Sequence, residues 1–518
     1  MTVYFVNESI NLQNSGIEHA EFDRANLFRK HNVDFKILTS VYLPTLHNTL
    51  PHFNIRDSES INLFDYFQNA LTYSGTKTRL NDVDFGLDVD LQETKNDLMF
   101  DAYAASNSSL LLGRVKTREK LKDNDNPQIE HIEFFDMFGN LYKTAYYDIR
   151  GFKSLVQYFN PDGRLEAENW LTPKGKIAII KTYTSIRNKT ISTWRIGNHQ
   201  FDTLDDVRLY FYNSINKTDY NMFILDRSNV SEWQLTHLDR PAYLAFILHN
   251  CHTASATNAE EQLLNDNYEW DLYNLDRFNC VISATPHQTI DVKKRFNNET
   301  TKFYTVPVGI ISDQTRFSRH IPMNKRKPYS MLVTARIAPE KGIDKMISAL
   351  KIAQKTIPQL TLDIYGYIDH SNNDATIKAI NKEKEKLNNP NTVIIHKHAE
   401  DVGKLQNEYQ VYLIFSRMEG FNLALMEAQS HGMPAITNDV NYGPTYLVEN
   451  GKNGIIVPYD DINAYANAMI NIFNDSEQLQ IYSDQAYLLS DRFSEENVWN
   501  AWQNVFTDYN NAMNKANK

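Results

Sequence analysis

The stretch SRMEGFNLALMEAQSHG occupies residues 416–432 and continues the apolar run VYLIFS at 411–416. It reads as a strand, a short loop and a helix. Glu419 falls in the loop, and Gly420 after it permits close backbone approach. Asn422 has the side chain of an N-cap for a helix beginning near Leu423. The unpaired N–H groups at such a helix start hold phosphate without needing a metal ion. Glu427 follows about one turn into the helix, placed to meet ribose hydroxyls in a cleft. Glutamates at this spacing are common by chance. A pair framed by strand, Gly-Phe, helix and a closing Gly-x-Pro is far more specific.

ARIAPEKGID at 335–344 repeats the arrangement, lying after the strand YSMLVTARI (329–337) and before a helical pattern. Its two cations, Arg336 and Lys341, sit in the crossover. A diphosphate leaving group gains negative charge as its bond to a sugar breaks, and fixed cations lower that barrier. Arginine adds bidentate phosphate geometry. Taken alone, two cations at a helix start are equally a solvated surface.

Working outward, LTLDIYGY (360–367), TVIIHKH (392–398) and MPAIT (433–437) complete a strand–helix alternation, the pattern of a parallel sheet. A second alternation opens the chain. TVYFVN (2–7) is a strand, a loop with Gly16 follows, IEHAEFDRANLFRKHN (17–32) has helical spacing, and VDFKILTS (33–40) is the next strand. AYLAFILHN (242–250), RFNCVISAT (277–285) and KFYTVPVGI (302–310) resume it. Between them, strand-like pieces succeed one another without helices, punctuated by Gly139-Asn140, Pro161-Asp162-Gly163 and Lys174-Gly175. The expected organisation is therefore α/β. One Rossmann-like domain takes 1–89 and 206–315, and 90–205 is an antiparallel β-rich insertion. A polar linker at 312–328 leads into a second Rossmann-like domain at 316–490. The tail 491–518 is a helix packing back across the cleft. A ligand belongs between the two sheets at the strands' carboxyl ends.

On the wall facing the paired glutamates, Gly16 lets the backbone approach a donor phosphate or sugar. His249, at the carboxyl end of AYLAFILHN, is placed to hydrogen-bond a sugar hydroxyl or the reacting oxygen. His252 just beyond is a structural alternative. His396 and His398 follow TVII, where backbone groups suit a uracil edge as well as a purely structural role. No His/Cys/Asp cluster has metal-ligand spacing, and neither a Gly-x-Ser-x-Gly elbow nor a P-loop is present.

Bulk properties narrow the class. The 518 residues carry a formal charge of −11, with 42% hydrophobic and 23% charged residues. That suits a soluble protein of two or three domains and argues against general nucleic-acid binding. Only Cys251 and Cys280 are present, so no disulfide framework is expected. The start MTVYFVNESI lacks a signal-peptide pattern and AYLAFIL (242–248) is too short to span a bilayer, so a cytoplasmic protein is expected, with peripheral contact at the inner membrane face left open.

RIAPEKGID followed by EGFNLALMEAQSHGMPAI, DVNYGP and ENGKNGIIVP resembles the retaining GT-B glycosyltransferases with the Glu-x7-Glu motif. The opening NSGIEHAEFDRANLFRKHN and the β-rich insertion resemble the Gram-positive branch that glycosylates serine-rich or serine-aspartate-repeat adhesins and wall teichoic acid. The resemblance implies a UDP-sugar donor, retained anomeric configuration and no essential metal or other cofactor. It assigns Arg336 and Lys341 to the diphosphate and Glu427 to the ribose. Glu419 contacts the donor sugar, and Gly420, Phe421, Asn422 and Leu423 offer phosphate-binding backbone. His249 lies beside the reacting centre, and Gly16 and His398 complete the donor set. Asn422 departs from the small residue usual in relatives. The insertion serves a long acceptor, a homo-oligomer or a partner subunit. Transfer of GlcNAc or glucose to Ser/Thr of an adhesin is the leading expectation, ahead of teichoic acid glycosylation. A UDP-sugar 2-epimerase and a noncatalytic partner subunit rank below both.

Overall fold

The computed structural model describes residues 2–516 except 187, 188, 398 and 400. The chain divides into two compact units, Met1–Asn14 with Asn32–Ala242, and Ser15–His31 with Tyr243–Lys518.

In the first unit, β1 (Val3–Val6), β2 (Phe35–Thr39), β3 (Ser60–Asn62) and β14 (Met222–Leu225) form parallel strands in the order β14-β1-β2-β3. β1 and β14 read VYFV and MFIL and are buried throughout, the continuous apolar run that a strand covered on both faces requires. Ten antiparallel strands, from β4 (Val89–Glu93) to β13 (His199–Phe201), pair in simple succession. Here burial alternates, as in Met99–Ala104, because one face meets a core and the other does not. Three of the hairpins use the same three-residue loop. Gly139, Gly163 and Gly175 each take a positive φ, at 82°, 75° and 78°. Their N–H groups donate to Asp136, Asn160 and Thr172 carbonyls at 3.0, 2.9 and 2.8 Å.

The sheet is fastened by aromatic packing and buried polar bonds. Trp170 and Trp194 stack at 5.5 Å, and Phe64 lies 5.0 Å from Trp170. Gln68 Nε2 donates to the Ser154 and Leu171 carbonyls at 2.8 and 2.6 Å, and Arg150 pairs with Asp65 at 2.6 Å.

The second unit holds two parallel sheets. One comprises β15 (Tyr243–Leu248), β16 (Cys280–Ser283) and β17 (Lys302–Thr305). The other comprises β18 (Ser330–Thr334), β19 (Thr361–Tyr365), β20 (Val393–His396), β21 (Val411–Ile414), β22 (Ala435–Asn438) and β23 (Gly454–Val457). Its order is β20-β19-β18-β21-β22-β23. The winding runs outward one way from β18 and reverses at β21, so the two strands are neighbours at a topological switch point, where open α/β sheets bind ligands. Six helices matter for the site: α1 (Gly16–Lys30), α2 (Pro286–Phe296), α3 (Ile343–Ala353), α4 (Leu423–Ser430), α5 (Gly443–Leu447) and α6 (Glu495–Ala516).

α1 starts with a capping box: Ser15 N–H donates to Glu18 at 2.8 Å and Ser15 Oγ accepts from Ile17 N–H at 3.3 Å. Its Phe28 meets α6 edge-on at Trp502, 5.1 Å away, while His31 stacks on Trp499 at 3.9 Å. Tyr243 Oη on β15 donates to Asp508 on α6 at 2.6 Å. α6 is thereby held against α1 and the first of the two sheets. Trp502 is 3% exposed. Trp502→Ala is expected to cost about 3–5 kcal/mol through the cavity it leaves, read as a lowered denaturation midpoint of this unit in chemical unfolding.

Candidate functional site

The switch point brings the two motifs together. β18 runs into Arg336, and a single 3₁₀ turn, Pro339–Lys341, delivers Lys341 to the start of α3. β21 leads into Glu419. Lys341 Nζ and Glu419 Oε1 meet at 2.7 Å, with both side chains largely buried at 22% and 11% exposure. Burial pulls the Lys341 ammonium down, but the Glu419 carboxylate outweighs it and the net shift is upward. Lys341 is a fixed cation throughout the neutral range. Arg336 is differently placed. Its guanidinium is exposed and bonded to Glu340 at 2.5 Å and Asp369 at 2.9 Å.

Asn422 takes a left-handed backbone, φ 84°, and its side chain caps α4 by accepting from Leu425 N–H at 2.9 Å. Asparagine tolerates that conformation better than most residues, which accommodates its departure from a small residue. The cap leaves the Leu423 and Ala424 N–H groups without an intrahelical acceptor. The Phe421 ring is buried edge-on against Phe493 at 5.3 Å, which leaves only its backbone to meet a ligand.

The two glycines differ in kind. A Cβ on Gly420 would stand 2.2 Å from the His249 carbonyl oxygen, so that glycine is demanded by protein packing rather than by a ligand. A Cβ on Gly16 would meet only Leu423 Cδ1, at an ordinary 3.9 Å. Packing places Gly16 beside the start of α4 and His249 beside Glu419-Gly420, on one cleft wall facing the other. His249 N–H donates to the Tyr268 hydroxyl at 3.0 Å. His252 is fully buried, and burial lowers its pKa to about 4. His396 is bonded to Asp363 at 2.6 Å and stacked on Tyr365. His398 lies outside the described residues.

Glu427 is solvent-accessible yet closely surrounded by protein, and desolvation pushes its pKa up to about 7. Asp23, on α1, is also raised to about 7, by desolvation first and then by the Glu427 charge. Asp23 was not singled out by the sequence. It stands two helical turns after Gly16, on the same face of α1, and that spacing is the signal that would have found it. Tyr442 and Asp291 are likewise legible only from the structure.

The raised Glu427 pKa fixes the sign of a pH effect. The fold favours the protonated acid, so ionisation costs stability as pH rises from the ordinary range of about 4.5 through about 7. Glu427→Gln is expected to raise the unfolding midpoint at pH 8, measured without nucleotide, and to leave it nearly unchanged at pH 5.

Residues 314–488 match the family model of glycosyl transferases group 1. The GtfA subunit of a UDP-N-acetylglucosamine–peptide N-acetylglucosaminyltransferase from Streptococcus agalactiae is 28% identical over 97% of both chains. A poly(ribitol-phosphate) α-N-acetylglucosaminyltransferase from Staphylococcus aureus is 20% identical over 97% of this chain and 99% of its own. The crystal structure of the pneumococcal O-GlcNAc transferase GtfA with UDP and GlcNAc superposes with a TM-score of 0.83 at 24% identity, covering 98% of this chain and 99% of that one. With the group 1 domain built on the switch point, the chain is a glycosyltransferase of GT-B fold, similar over nearly its whole length to a peptide N-acetylglucosaminyltransferase subunit and to a poly(ribitol-phosphate) N-acetylglucosaminyltransferase.

Proposed function

We propose that the chain transfers GlcNAc, or glucose, from a UDP-sugar to Ser/Thr hydroxyls of a repetitive surface adhesin, with retention of anomeric configuration. The observation that carries the donor chemistry is the Lys341–Glu419 pair at 2.7 Å beside the start of α4. Lys341, the uncapped N–H groups of Leu423 and Ala424, and Arg336 released from Glu340 and Asp369 supply positive potential where the diphosphate gains charge. That potential makes a metal ion unnecessary in this scheme. Ionised Glu427 accepts from ribose hydroxyls, and Gly16 leaves room on the facing wall. Glu419 contacts the donor sugar and His249 lies by the reacting centre.

Retention follows from reaction at the same face that the leaving group vacates. The acceptor hydroxyl gives its proton to the departing phosphate oxygen as the new glycosidic bond forms and the old one breaks. Double displacement needs a free carboxylate on the opposite sugar face, whereas Glu419 is engaged by Lys341.

The peptide acceptor is supported by full-length similarity to the S. agalactiae protein, which is itself named as a subunit. A partner subunit, or self-association through the antiparallel sheet, fits that description. The reaction would then take place in the cytoplasm or at the inner membrane face before the acceptor is exported. Among the described residues no helix is long and apolar enough to cross a membrane.

A second reading, teichoic acid glycosylation, has one favouring observation beyond the S. aureus relative. From 169 to 198 the sequence contains Lys174, Lys176, Lys181, Arg187, Lys189 and Arg195 but neither Asp nor Glu, a charge bias suited to a polyanion.

A panel of UDP-sugars offered with a Ser-rich peptide and with poly(ribitol phosphate) separates the two. UDP release with peptide is expected, and release with polymer alone would replace the first reading by the second. Lys341→Ala is expected to lower kcat/KM by about 100-fold or more, and full turnover by that variant would refute the donor-site assignment.

A further inference from the structure

Tyr442 follows β22 at the start of α5 and is 1% exposed. Its hydroxyl donates to Asp291 Oδ2 on α2 at 3.0 Å and lies 3.3 Å from His252 Nδ1. His252 Nε2 is 3.2 Å from the Ala259 carbonyl oxygen, which can only accept. In the neutral ring the hydrogen is therefore on Nε2, and Nδ1 is a second acceptor for the Tyr442 hydroxyl. One phenolic proton thus ties the segment after β22 to the loop after β15 and to α2.

The backbone beneath that ring grips the loop carrying Glu419. Tyr442 N–H donates to the Glu419 carbonyl at 2.9 Å, and Asn441 N–H to the Ala256 carbonyl at 2.8 Å. Cys251 Sγ donates to the Asn441 carbonyl at 3.0 Å. Gly420 is pressed on the His249 carbonyl, and a Cβ on Gly443 would stand 1.8 Å from that of Phe421. Three segments, around 249–256, 419–421 and 441–443, are layered with no room for a side chain between them. A phenylalanine would fill the volume of Tyr442 equally well; the hydroxyl adds direction, because a hydrogen bond to a fixed carboxylate sets where the ring and its backbone lie.

We propose that Tyr442 is a positioning residue: its hydroxyl, anchored on Asp291 and His252, holds the Glu419 backbone so that the Glu419 carboxylate meets Lys341 and the donor sugar. The inference rests on the donor-site reading above, in which Glu419 contacts the sugar. It acts through placement, so binding of the nucleotide itself should be spared.

The test compares Tyr442→Phe, Asp291→Asn and the double variant with the full-length wild type. Each is measured for thermal midpoint, UDP affinity by calorimetry, donor KM, kcat, and hydrogen exchange over residues 416–422. Tyr442→Phe is expected to lower kcat about tenfold, since small misplacements of a catalytic group cost up to about 100-fold. UDP affinity and donor KM should stay within about twofold, and exchange over 416–422 should quicken. Asp291→Asn keeps an oxygen acceptor and should be milder, while the double variant should be no worse than Tyr442→Phe alone. An unchanged exchange rate over 416–422, or a kcat within twofold of wild type, overturns the proposal. So does a kcat loss matched by an equal loss of folded protein. Exchange needs no turnover, so a wild type that processes no donor and acceptor pair would sink the functional reading while this readout still decides the role of Tyr442.

Discussion

The proposed donor site depends on the adjacency of β18 and β21. Lys341 and Glu419 are 78 residues apart in the chain, yet their side chains meet at 2.7 Å. No local propensity brings them together. The sheet winds outward from β18 and reverses at β21, so the loops leaving both strands rise side by side. Everything else in the site is arranged around that crevice. α4 turns its N-terminus toward it, Gly16 and His249 border it from the facing wall, and α6 fixes α1 in place through Phe28, His31 and Trp502.

Charge is distributed unevenly across the crevice, in a way that suits a nucleotide diphosphate. Lys341 is held cationic, and the start of α4 adds unpaired amides. A turn further along, Glu427 and Asp23 face each other as two acids, each raised to about 7. In the proposed scheme the cations meet phosphate charge and the carboxyl groups orient hydroxyls. Arg336 shows a different economy. Its bonds to Glu340 and Asp369 keep it engaged, so the proposed service to a diphosphate requires an exchange of partners.

Much of this was legible in the residues. The alternating apolar runs revealed the parallel strands, the turn glycines Gly139, Gly163 and Gly175 revealed the inserted hairpins, and Asn422 declared itself as a cap. Lys341 and Glu419 were singled out as charged side chains in the loops just after two strands, and the structure brings those two together at 2.7 Å. The meaning of Gly420 was not legible. Its smallness looked like room for a ligand, but it is filled by the His249 carbonyl, a contact over 171 residues of sequence that no spacing encodes. Asp23 was hidden inside a helical pattern. Tyr442, Asp291 and His252 come from three separate segments, and only folding makes one network of them. The acceptor is the least legible feature, because a sheet face recognises a polymer through shape and summed charge rather than through a motif.

The central claim is that the diphosphate of the donor sits at this switch point, and a crystal structure of the protein with UDP bound tests it most directly. The expected result places the diphosphate between Lys341 and the N–H groups of Leu423 and Ala424, with the ribose on Glu427. Arg336 should have turned from Asp369 toward the phosphates. UDP bound elsewhere, with Arg336 still held by Glu340 and Asp369 and no phosphate near Lys341, would contradict it.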